Sequence, residues 1–585
     1  MVALAGLVVW LVSLVVVGGA LAVLPDGRGF ELVSPVVKNG VSPYAAIPSV
    51  DGGVVDFQAR GSFAGASSGS LNLYQATRTS SGWQTAALTP TPSAPLGALE
   101  LQAPVWFSSD LSQTIFTTPA SYAAGDQDEG ALSLYARNAA GGLTWVSQGS
   151  QGGSEPREVT FDAATPDGRH VVFSSSASLL PEAVGLNPEA FPEPEFLYQR
   201  DVAGGQTSLL SLDSTGQPAG AAATVLSAAY TPGNGEITVA RAEGFFPGQF
   251  VTIGEGPEAE TTQISHIPFT EGPNEKFVVG NGSGLPNPYP EGTPVTHASE
   301  GSILGDGGHL ASGPPPAGEY LPANAGSGST TNAISNDGSK VFFESPNPAG
   351  GKPVGLYMRQ NNTTTVKIAG AAADGTTIAG IFPVEETTFG SARFEGAAAD
   401  GSLMFFRSDE GLAGASKGKE IYEFNTTSHE IGAAPPMSVH AISVGLEGDR
   451  TPATTTTAPN SNGSETINVT STAGFHAGET IAFASFAVTG GRHQGGLTLV
   501  IASVPSATEL TTTFPVHGAG NGIPEGTELH GVHPASVTAI SNDGSHVYFI
   551  SDGVLAANAN AQGATAIPVK PNLYAFDTTT EETTF

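Results

Sequence analysis

The sequence predicts an all-β chain made of repeated four-stranded antiparallel units. A nine-residue pattern ending in Phe occurs six times, and residues 335–343 (SNDGSKVFF) show it most clearly. Asp-Gly predicts a tight turn, because Gly tolerates positive φ and Asp can hydrogen-bond to its own backbone. The Val-Phe-Phe run after it has the β-branched and aromatic content of a buried strand. A Leu-Tyr or Ile-Tyr pair follows every copy after a variable gap.

These paired signals keep a constant order, which indicates an internal repeat. The other copies lie at 49–57, 108–116, 165–173, 398–406 and 541–549. Repeats of roughly 40–50 residues indicate propellers or arrays, and a four-stranded unit buries its faces only against its neighbours. We therefore predict a six-bladed β-propeller of four-stranded antiparallel blades, with units at 44–95, 100–155, 158–216, 330–372, 387–438 and 536–585.

The repeated turn residues are predicted to be structural, since each Asp precedes Gly in the same turn of a different blade. They are Asp51, Gly52, Asp167, Gly168, Asp337, Gly338, Asp400, Gly401, Asp543 and Gly544. The second unit departs from this pattern, with Asp110-Leu111 in the place of Asp-Gly. The repeated Phe and Tyr residues are predicted to lie in the core.

Composition and charge agree with this fold and exclude some functions. The 585 residues include 76 Gly and 43 Pro, which favours many short strands joined by turns. The formal net charge is −33 and no basic run is present, so the chain would repel a phosphate backbone and nucleic-acid binding is not expected. Cysteine is absent, which excludes disulfides, thiolate metal sites and Cys nucleophiles.

The beginning of the chain carries an apolar segment. Residues 3–24 are nearly all apolar, and Ala20-Leu21-Ala22 has the small-x-small pattern of a signal-peptidase site. We predict an export signal at 1–22, with an uncleaved membrane anchor as the alternative, since roughly 20 apolar residues can span a bilayer. Both predictions place the remaining chain outside the cytoplasm, secreted or at the cell surface, with membrane contact only through this segment.

The predicted propeller is divided along the chain. Blades one to three occupy 30–216, blades four and five 331–438, and blade six 536–585. Residues 30–37 (FELVSPVV) are predicted to form a strand that closes the ring beside the sixth unit, and 331–334 the first strand of the fourth. The alternative to closure is a truncated last blade, with further blades or a downstream domain missing.

Two segments that interrupt the repeat resemble each other. Residues 237–251 align without gaps to 467–481, and both contain a Gly-Phe pair at the same place, 244–245 and 474–475. We predict two copies of a small all-β module at 222–300 and 451–533, inserted in blade-to-blade crossovers. Residues 301–330 are rich in Gly, Pro, Ser and Thr and are predicted to be a linker.

The insertion points predict a working face. In a propeller blade the first-to-second turn, here Asp-Gly, lies at one end of the sheet, and the second-to-third loop and the crossover lie at the other. The long loops at 174–196, 407–420 and 550–572 therefore share one face with both modules. Loops on a rigid scaffold are where binding tends to reside. This decorated face is predicted to bind the partner.

Few residues suggest chemistry. Two G-x-S-x-G matches, at 65–69 and 414–418, lie in predicted loops of an all-β repeat, whereas a nucleophile elbow needs a strand and a helix. Asp126, Asp128 and Glu129 could hold Ca²⁺ through oxygen ligands, although they lack the full calcium-loop pattern. His517, His530 and His533 are interpreted as exposed polar residues rather than zinc ligands. No catalytic residue and no cofactor is predicted.

The repeat resembles a known family. The pattern S-x-D-G-x-x-V-x-F, then Leu-Tyr, then a polar turn and a short strand, is similar to the WD40-like (PD40) repeats of TolB-type β-propellers. The resemblance covers most of the chain outside 1–29 and the two modules. It implies an exported bacterial protein and implies no catalytic residues. Members act mostly as protein-binding platforms or as accessory domains of peptidases and other enzymes.

The function predicted from the sequence is that of an exported, non-catalytic scaffold. The decorated face would bind a protein or a glycan. One alternative is the propeller domain of an extracellular hydrolase whose catalytic part is missing. Another is a structural cell-surface protein in which the modules are spacers.

Overall fold

The structure is a computed structural model, and the described part of the chain is residues 29–585 with gaps. The gaps are 67–70, 91–102, 127–130, 150–158, 187–193, 214, 243–244, 246–248, 268–274, 283, 300, 306–331, 346–354, 371–391, 409–419, 428–438, 444–452, 462, 484–485, 489–491, 495–496, 516–521 and 533–534. The predicted export segment at 1–22 therefore lies outside the described residues. None of the helices found in the described ranges is both long and apolar enough to cross a membrane.

The chain divides into two compact units, Met1–Gln102 and Ala103–Phe585. The first unit contains one four-stranded antiparallel sheet, here sheet one, made of β1 (Pro43–Pro48), β2 (Val54–Arg60), β3 (Leu71–Thr79) and β4 (Gly82–Ala87) in sequence order. Its core stacks the rings of Phe57, Phe63 and Tyr74, with centroids 3.9 Å apart for Phe63 and Tyr74. The repeated Phe and Tyr are core residues here, as predicted.

The predicted closing strand at 30–37 is wrong. No strand is present over these residues, and Phe30 and Val36 are 66% and 81% exposed. Pro35 cannot donate a backbone hydrogen bond to a ladder, which disfavours a strand. The segment is fixed by Glu31 instead, whose carboxylate accepts hydrogen bonds from Arg78 and from Trp83 Nε1, the latter at 2.7 Å.

The second unit contains five further four-stranded antiparallel sheets among its described residues, each in sequence order. Sheet two is β5 (Ala103–Phe107), β6 (Gln113–Thr118), β7 (Ser133–Asn138) and β8 (Leu143–Trp145), and sheet three is β9 (Val159–Ala164), β10 (His170–Ser175), β11 (Phe196–Asp201) and β12 (Gln206–Leu209). Sheet four is β19 (Ile303–Leu304), β20 (Lys340–Ser345), β21 (Gly355–Gln360) and β22 (Thr364–Gly370), and sheet five is β23 (Ala392–Ala397), β24 (Leu403–Ser408), β25 (Glu420–Asn425) and β26 (Val439–Ala441). Sheet six is β35 (Ala535–Ile540), β36 (His546–Ser551), β37 (Asn572–Asp577) and β38 (Glu582–Thr584).

Sheets two to six pack face to face in sequence order. In each sheet the Phe and Tyr of the repeat lie on one face, and the residue before each of them lies on the other, as the period of two requires. Phe343 and Tyr357 of sheet four accordingly cluster with Val172 and Leu197 of sheet three. The opposite face of sheet four clusters with sheet five, and the ring of Phe342 stacks on Phe394 at 5.6 Å.

Sheet four differs from the sequence prediction in its first strand. The strand is Ile303–Leu304, which pairs with Phe343 and Glu344, whereas 332–334, the described part of the predicted strand 331–334, lie outside it. Ile334 forms only an isolated bridge to Val341. Leu304 packs against the apolar clusters of this sheet on both faces, and this apolar contact explains the choice of strand. The start of the predicted linker at 301–330 therefore belongs to the sheet.

The remaining strands form two six-stranded sheets with one strand order. Module one consists of β13 (Ala222–Val225), β14 (Glu236–Val239), β15 (Phe250–Ile253), β16 (Glu260–His266), β17 (Glu275–Val279) and β18 (Pro294–His297), with two short 3-10 helices at Gly256–Glu258 and Gly280–Gly282. Module two consists of β27 (Ala453–Thr455), β28 (Thr466–Asn468), β29 (Thr480–Phe483), β32 (Thr498–Ser506), β33 (Glu509–Thr512) and β34 (Glu528–Val532), with an extra hairpin of β30 (Phe486–Val488) and β31 (Arg492–Gln494). The sheet orders β13-β18-β15-β16-β17-β14 and β27-β34-β29-β32-β33-β28 are equivalent.

The cores of the two modules are equivalent as well. Ile237 and Val239 of module one and Ile467 and Val469 of module two, aligned in sequence, are all 1% exposed or less. Each pair joins the apolar cluster of its own module. The similarity of the two segments in sequence therefore reflects one shared strand arrangement.

Candidate functional site

The Asp-Gly turns have one hydrogen-bond geometry. In sheet four, Ser335 Oγ donates to Asp337 Oδ1 at 2.7 Å, and the same carboxylate oxygen accepts from Ser339 N at 3.0 Å. Ser335 Oγ also accepts from Lys340 N at 3.0 Å. The equivalent three bonds occur in sheets one, two, three and six. Sheet five has Ala398 at the position of the hydroxyl residue and keeps the bond from Ser402 N to Asp400.

The glycine of the turn meets two requirements. Gly338 has φ +71°, a left-handed conformation that costs other residues energy. A Cβ at Gly338 would also lie 2.5 Å from the ring of His170 in sheet three. Leu111, which replaces this glycine in sheet two, adopts the same conformation with φ 59° and is 2% exposed.

Neighbouring turns in the second unit are bonded to one another. Asn336 N donates to Ala399 O at 2.7 Å, and Ala399 N donates to Asn542 O at 2.8 Å, so the turns of sheets four, five and six form a chain of hydrogen bonds. Gln199 Nε2 of sheet three donates to Gly338 O at 2.9 Å. The turns of these sheets therefore lie side by side at one end, and the predicted turn residues are placed for a structural role.

The tyrosine of the Leu-Tyr pair organises the opposite end of the sheet. In sheet three, Tyr198 Oη donates to Ala177 O at 2.5 Å and accepts from Leu179 N at 3.3 Å, both in the second-to-third loop. The equivalent phenols make the same kind of contact in sheets one and six. This hydroxyl fixes the start of the loop, and the sequence pattern alone indicated only a core position.

Removing one such hydroxyl is expected to loosen one loop. Tyr198→Phe leaves Leu179 N and Ala177 O without this partner in a buried place, at a cost of about 1–3 kcal/mol. Hydrogen exchange at Leu179 would then become faster. Tyr548→Phe is the control, because Tyr548 is 39% exposed. Equal exchange at Leu179 in both variants would contradict this role of the phenol.

The calcium candidate is only partly described. Asp126 is 8% exposed, and its carboxylate accepts hydrogen bonds from Ser133 Oγ at 3.2 Å and from Tyr135 Oη. Burial and the Asp126 carboxylate raise the pKa of Tyr135. Asp128 and Glu129 lie outside the described residues, so the calcium site stays a prediction. The described ranges contain no group of three residues arranged to hold a metal ion.

Other predicted candidates fall largely outside the described residues. These are Ser67, residues 414–418, His517 and His533. His530 is described and is 7% exposed, so its interpretation as an exposed residue is wrong. It lies in β34, where its backbone pairs with Ala453 on one side and Ala482 on the other.

Both modules contact second-to-third loops. Module one is joined to the loop of sheet three through a bridge between Leu186 and Ser299, with Ser299 N donating to Gly185 O at 2.9 Å. In module two, a Cβ at Gly478 would lie 3.3 Å from Cγ1 of Val569, which belongs to the loop of sheet six. At these two contacts, loops and modules meet at the end of the sheets away from the Asp-Gly turns.

The pKa values of several carboxyl groups differ from their usual range, some lowered and some raised. The hydrogen bonds from Ser108 and Ser402 lower the pKa of Asp110 and Asp400, and bonds from Ser545 lower that of Asp543 to about 2. Burial and then repulsion by Glu581 raise the pKa of Glu423 to about 7. Burial and then repulsion by Glu195 raise that of Asp162 to about 8.

These shifts predict a stability maximum in mildly acidic solution. A lowered pKa contributes stability that is lost as pH falls from about 4 toward the folded value. A raised pKa contributes stability that is present below about 4 and is lost as pH rises through the folded value, here about 7 and about 8. The urea midpoint is therefore expected to be highest near pH 4–5, roughly. Glu423→Gln should flatten its decline up to about pH 7, and a midpoint that rises from pH 5 to 8 would contradict this account.

Comparison with known proteins gives no family. No protein-family model matches the chain, and no curated protein matches it. Solved structures that match include one from a study of two prolyl endopeptidases, with 10% identity over 83% of this chain and 49% of that one, and a TM-score of 0.18. Prolyl oligopeptidase B from Galerina marginata matches with 9% identity over 71% of this chain and 44% of that one, TM-score 0.19. The GH74 enzyme of Niastella koreensis matches with 12% identity over 95% of this chain and 63% of that one, TM-score 0.19.

These similarities are distant. The chain spans about half the length of the peptidase structures it matches first, 49% and 44%. At TM-scores below 0.2 they support no argument about activity. The description of this chain as all-β, with multiple four-stranded antiparallel sheets, rests on its own strand order.

Proposed function

We propose that the four-stranded sheets are the blades of a six-bladed β-propeller, and that the end formed by its loops and modules binds a protein or glycan partner without catalysis. The observation that supports this most is the contact of both modules with second-to-third loops, through Ser299 and through Gly478. Such contacts enlarge the surface at one end of the sheets and restrict the movement of the loops there. Loops held on a rigid scaffold are suited to binding.

The two ends of the sheets differ in what they offer to a partner. At the turn end, the Asp carboxylates accept hydrogen bonds within their own turns, and backbone bonds join neighbouring turns. At the loop end, the second-to-third loop of sheet six is rich in alanine and carries exposed apolar side chains such as Ile567, which is 59% exposed. Exposed apolar side chains on a loop, beside polar backbone groups, suit contact with a protein or glycan surface.

Two features of this proposal come from the sequence. The similarity of the repeat to TolB-type propellers and the apolar segment at 3–24 support a place outside the cytoplasm. The modules are proposed to be insertions in the crossovers after the third and the fifth blade. This arrangement follows from their position between β12 and β19 and between β26 and β35.

A photo-crosslinking experiment tests which end binds. A diazirine amino acid is placed at Ile567 in the loop of sheet six, or at the exposed Asn542 in its turn, and each protein is exposed to envelope extract and glycan fractions. Adducts from Ile567 alone, competed by unlabelled protein, are expected. Adducts mainly from Asn542, or none from either position, would contradict the proposal.

A further inference from the structure

The contact between module two and sheet six includes a strained residue. Val569 has φ 58°, and a β-branched side chain is strongly disfavoured in this left-handed region. Such residues persist only where the surroundings over-determine them. The strain therefore calls for a structural reason at this position.

The loop around Val569 is held firmly on the sheet. Val569 N donates to Asp552 O at 2.9 Å. The side chain of Asn572, 5% exposed, donates to Ile567 O at 2.9 Å and to Lys570 O at 2.8 Å, and accepts from Ile567 N at 3.0 Å. These bonds on both sides of Val569 fix its backbone. The strain is thus a property of the folded loop and not of a loose segment.

The side chain of Val569 faces a turn of module two. A Cβ at Gly478 would lie 3.3 Å from Val569 Cγ1, so Gly478 leaves room for that methyl group. Gly478 itself has φ +92° and donates from its N to Ile501 O at 2.7 Å, which ties the turn to the module. Two left-handed residues thus meet at this contact, one from each partner.

Module one is attached in a different way. Ser299 is bonded through its backbone to Gly185, and its Oγ donates to Ala219 O at 2.6 Å, which joins the exit of the module to its entry. Ser302 N also donates to Glu195 O at 3.0 Å. Module one is thus fixed by directional bonds. Among the described residues, module two meets the loop of sheet six at the Val569 side chain and the Gly478 backbone.

We propose that Val569 is a latch, a strained residue whose branched side chain holds module two docked against the loop of sheet six. The strain is retained because a relaxed backbone at 569 would turn the methyl groups away from Gly478. Module two is then a movable part of the loop-and-module end, and its docked position sets the shape of that surface. The latch rests on the proposed function and deepens it by naming what controls the binding end.

Two variants at this position test the strained, branched side chain as a whole. Val569→Asn relieves the strain, because Asn tolerates the left-handed region, and removes the methyl contact. Val569→Ile keeps both. Ala64→Asn is the matched control, since Ala64 has φ 46° and is exposed in a loop of sheet one, in the other unit. All three are made in the full chain.

The readout is the distance between module two and sheet six. Because the chain has no cysteine, spin labels can be attached at Ala502→Cys in β32 and Ser536→Cys in β35, two exposed positions, and pulsed electron resonance gives the distribution of their separation. Val569→Asn is expected to broaden this distribution without lowering the thermal midpoint. Ala64→Asn and Val569→Ile should leave it as narrow as in the parent protein. A distribution unchanged in Val569→Asn, or a lowered midpoint with unchanged distances, would overturn the latch.

The measurement needs no partner. A failure of the latch therefore leaves the proposed binding end untouched. Crosslinks from the wrong end would refute the binding proposal and the link of the latch to binding, and would leave only the docking of module two to be tested by the distances. The two outcomes are separately observable.

Discussion

Gly338→Ala is expected to lower the free energy of unfolding far more than Gly52→Ala. Both glycines are left-handed, with φ +71° and +69°. An alanine backbone in this conformation is strained, which lowers the free energy of unfolding of both variants by roughly 1–2 kcal/mol. Only Gly338 is crowded, because its added Cβ would lie 2.5 Å from the His170 ring, whereas nothing lies within 4 Å of a Cβ at Gly52. Overpacking of this kind adds about 1–3 kcal/mol.

Urea denaturation combined with hydrogen exchange would measure this difference. Exchange at the amides of β20 reports on sheet four, and exchange at the amides of β2 reports on sheet one, so each variant is judged in its own sheet. Gly338→Ala should also accelerate hydrogen exchange in sheet three, because His170 belongs to that sheet. Equal destabilisation by the two variants would mean that the turns of sheets three and four do not touch.

Phe342→Ala is expected to have the largest effect of any substitution considered. Phe342 is fully buried between sheets four and five and stacks on Phe394 at 5.6 Å. Truncation of a buried Phe costs about 3–5 kcal/mol, because the cavity it leaves is only partly filled. Thermal unfolding of the purified protein measures the loss. Met404 and Phe406, which share this cluster, would also lose contacts.

Phe30→Ala is the control for the same chemical change. Phe30 is 66% exposed in the segment that was predicted to be a closing strand. A change within about 0.5 kcal/mol is expected, as for ordinary surface positions. A loss comparable to that of Phe342→Ala would show that Phe30 is buried in solution.

Most of the repeat architecture could be predicted from the sequence. The Asp-Gly turn and the Phe and Tyr positions determine where strands two and three of each sheet begin, because turn chemistry and the period of two are local properties. The described residues contain six four-stranded antiparallel sheets, and β19 and β26 lie outside the predicted bounds 330–372 and 387–438. The pairing of two distant segments as one kind of module followed from a direct sequence alignment and agrees with their strand order.

The errors concern features that depend on tertiary contacts. Ile303 and Leu304 form a two-residue strand that has no periodic signal, and only its packing against two clusters selects it. Residues 30–37 have strand-forming composition, yet Pro35 and the bonds of Glu31 hold them outside a ladder. Leu111 shows that the turn can be formed without glycine when its side chain is buried.

The candidate site was predicted only in outline. Loop length and insertion points indicated the end at which loops and modules meet, but the phenol bonds of Tyr198 and the strain at Val569 have no signature in the sequence. A φ above zero at Val is visible only once the surrounding bonds are known. The same holds for Gly478, whose partner Val569 lies in a distant part of the chain and meets it only in the folded protein.

The measurement that tests the central claim most directly is an engineered disulfide between neighbouring turns. Ala399 N donates to Asn542 O at 2.8 Å, which places the two Cα atoms within reach of a disulfide, about 4.4–6.8 Å. In the cysteine-free chain, Ala399→Cys with Asn542→Cys should close under mild oxidation. Ala399→Cys with Ala561→Cys, at the loop end of sheet six, should not, because the strands between them span roughly 20 Å. Closure of the second pair and not the first would contradict the arrangement in which the turns share one end and the loops and modules the other.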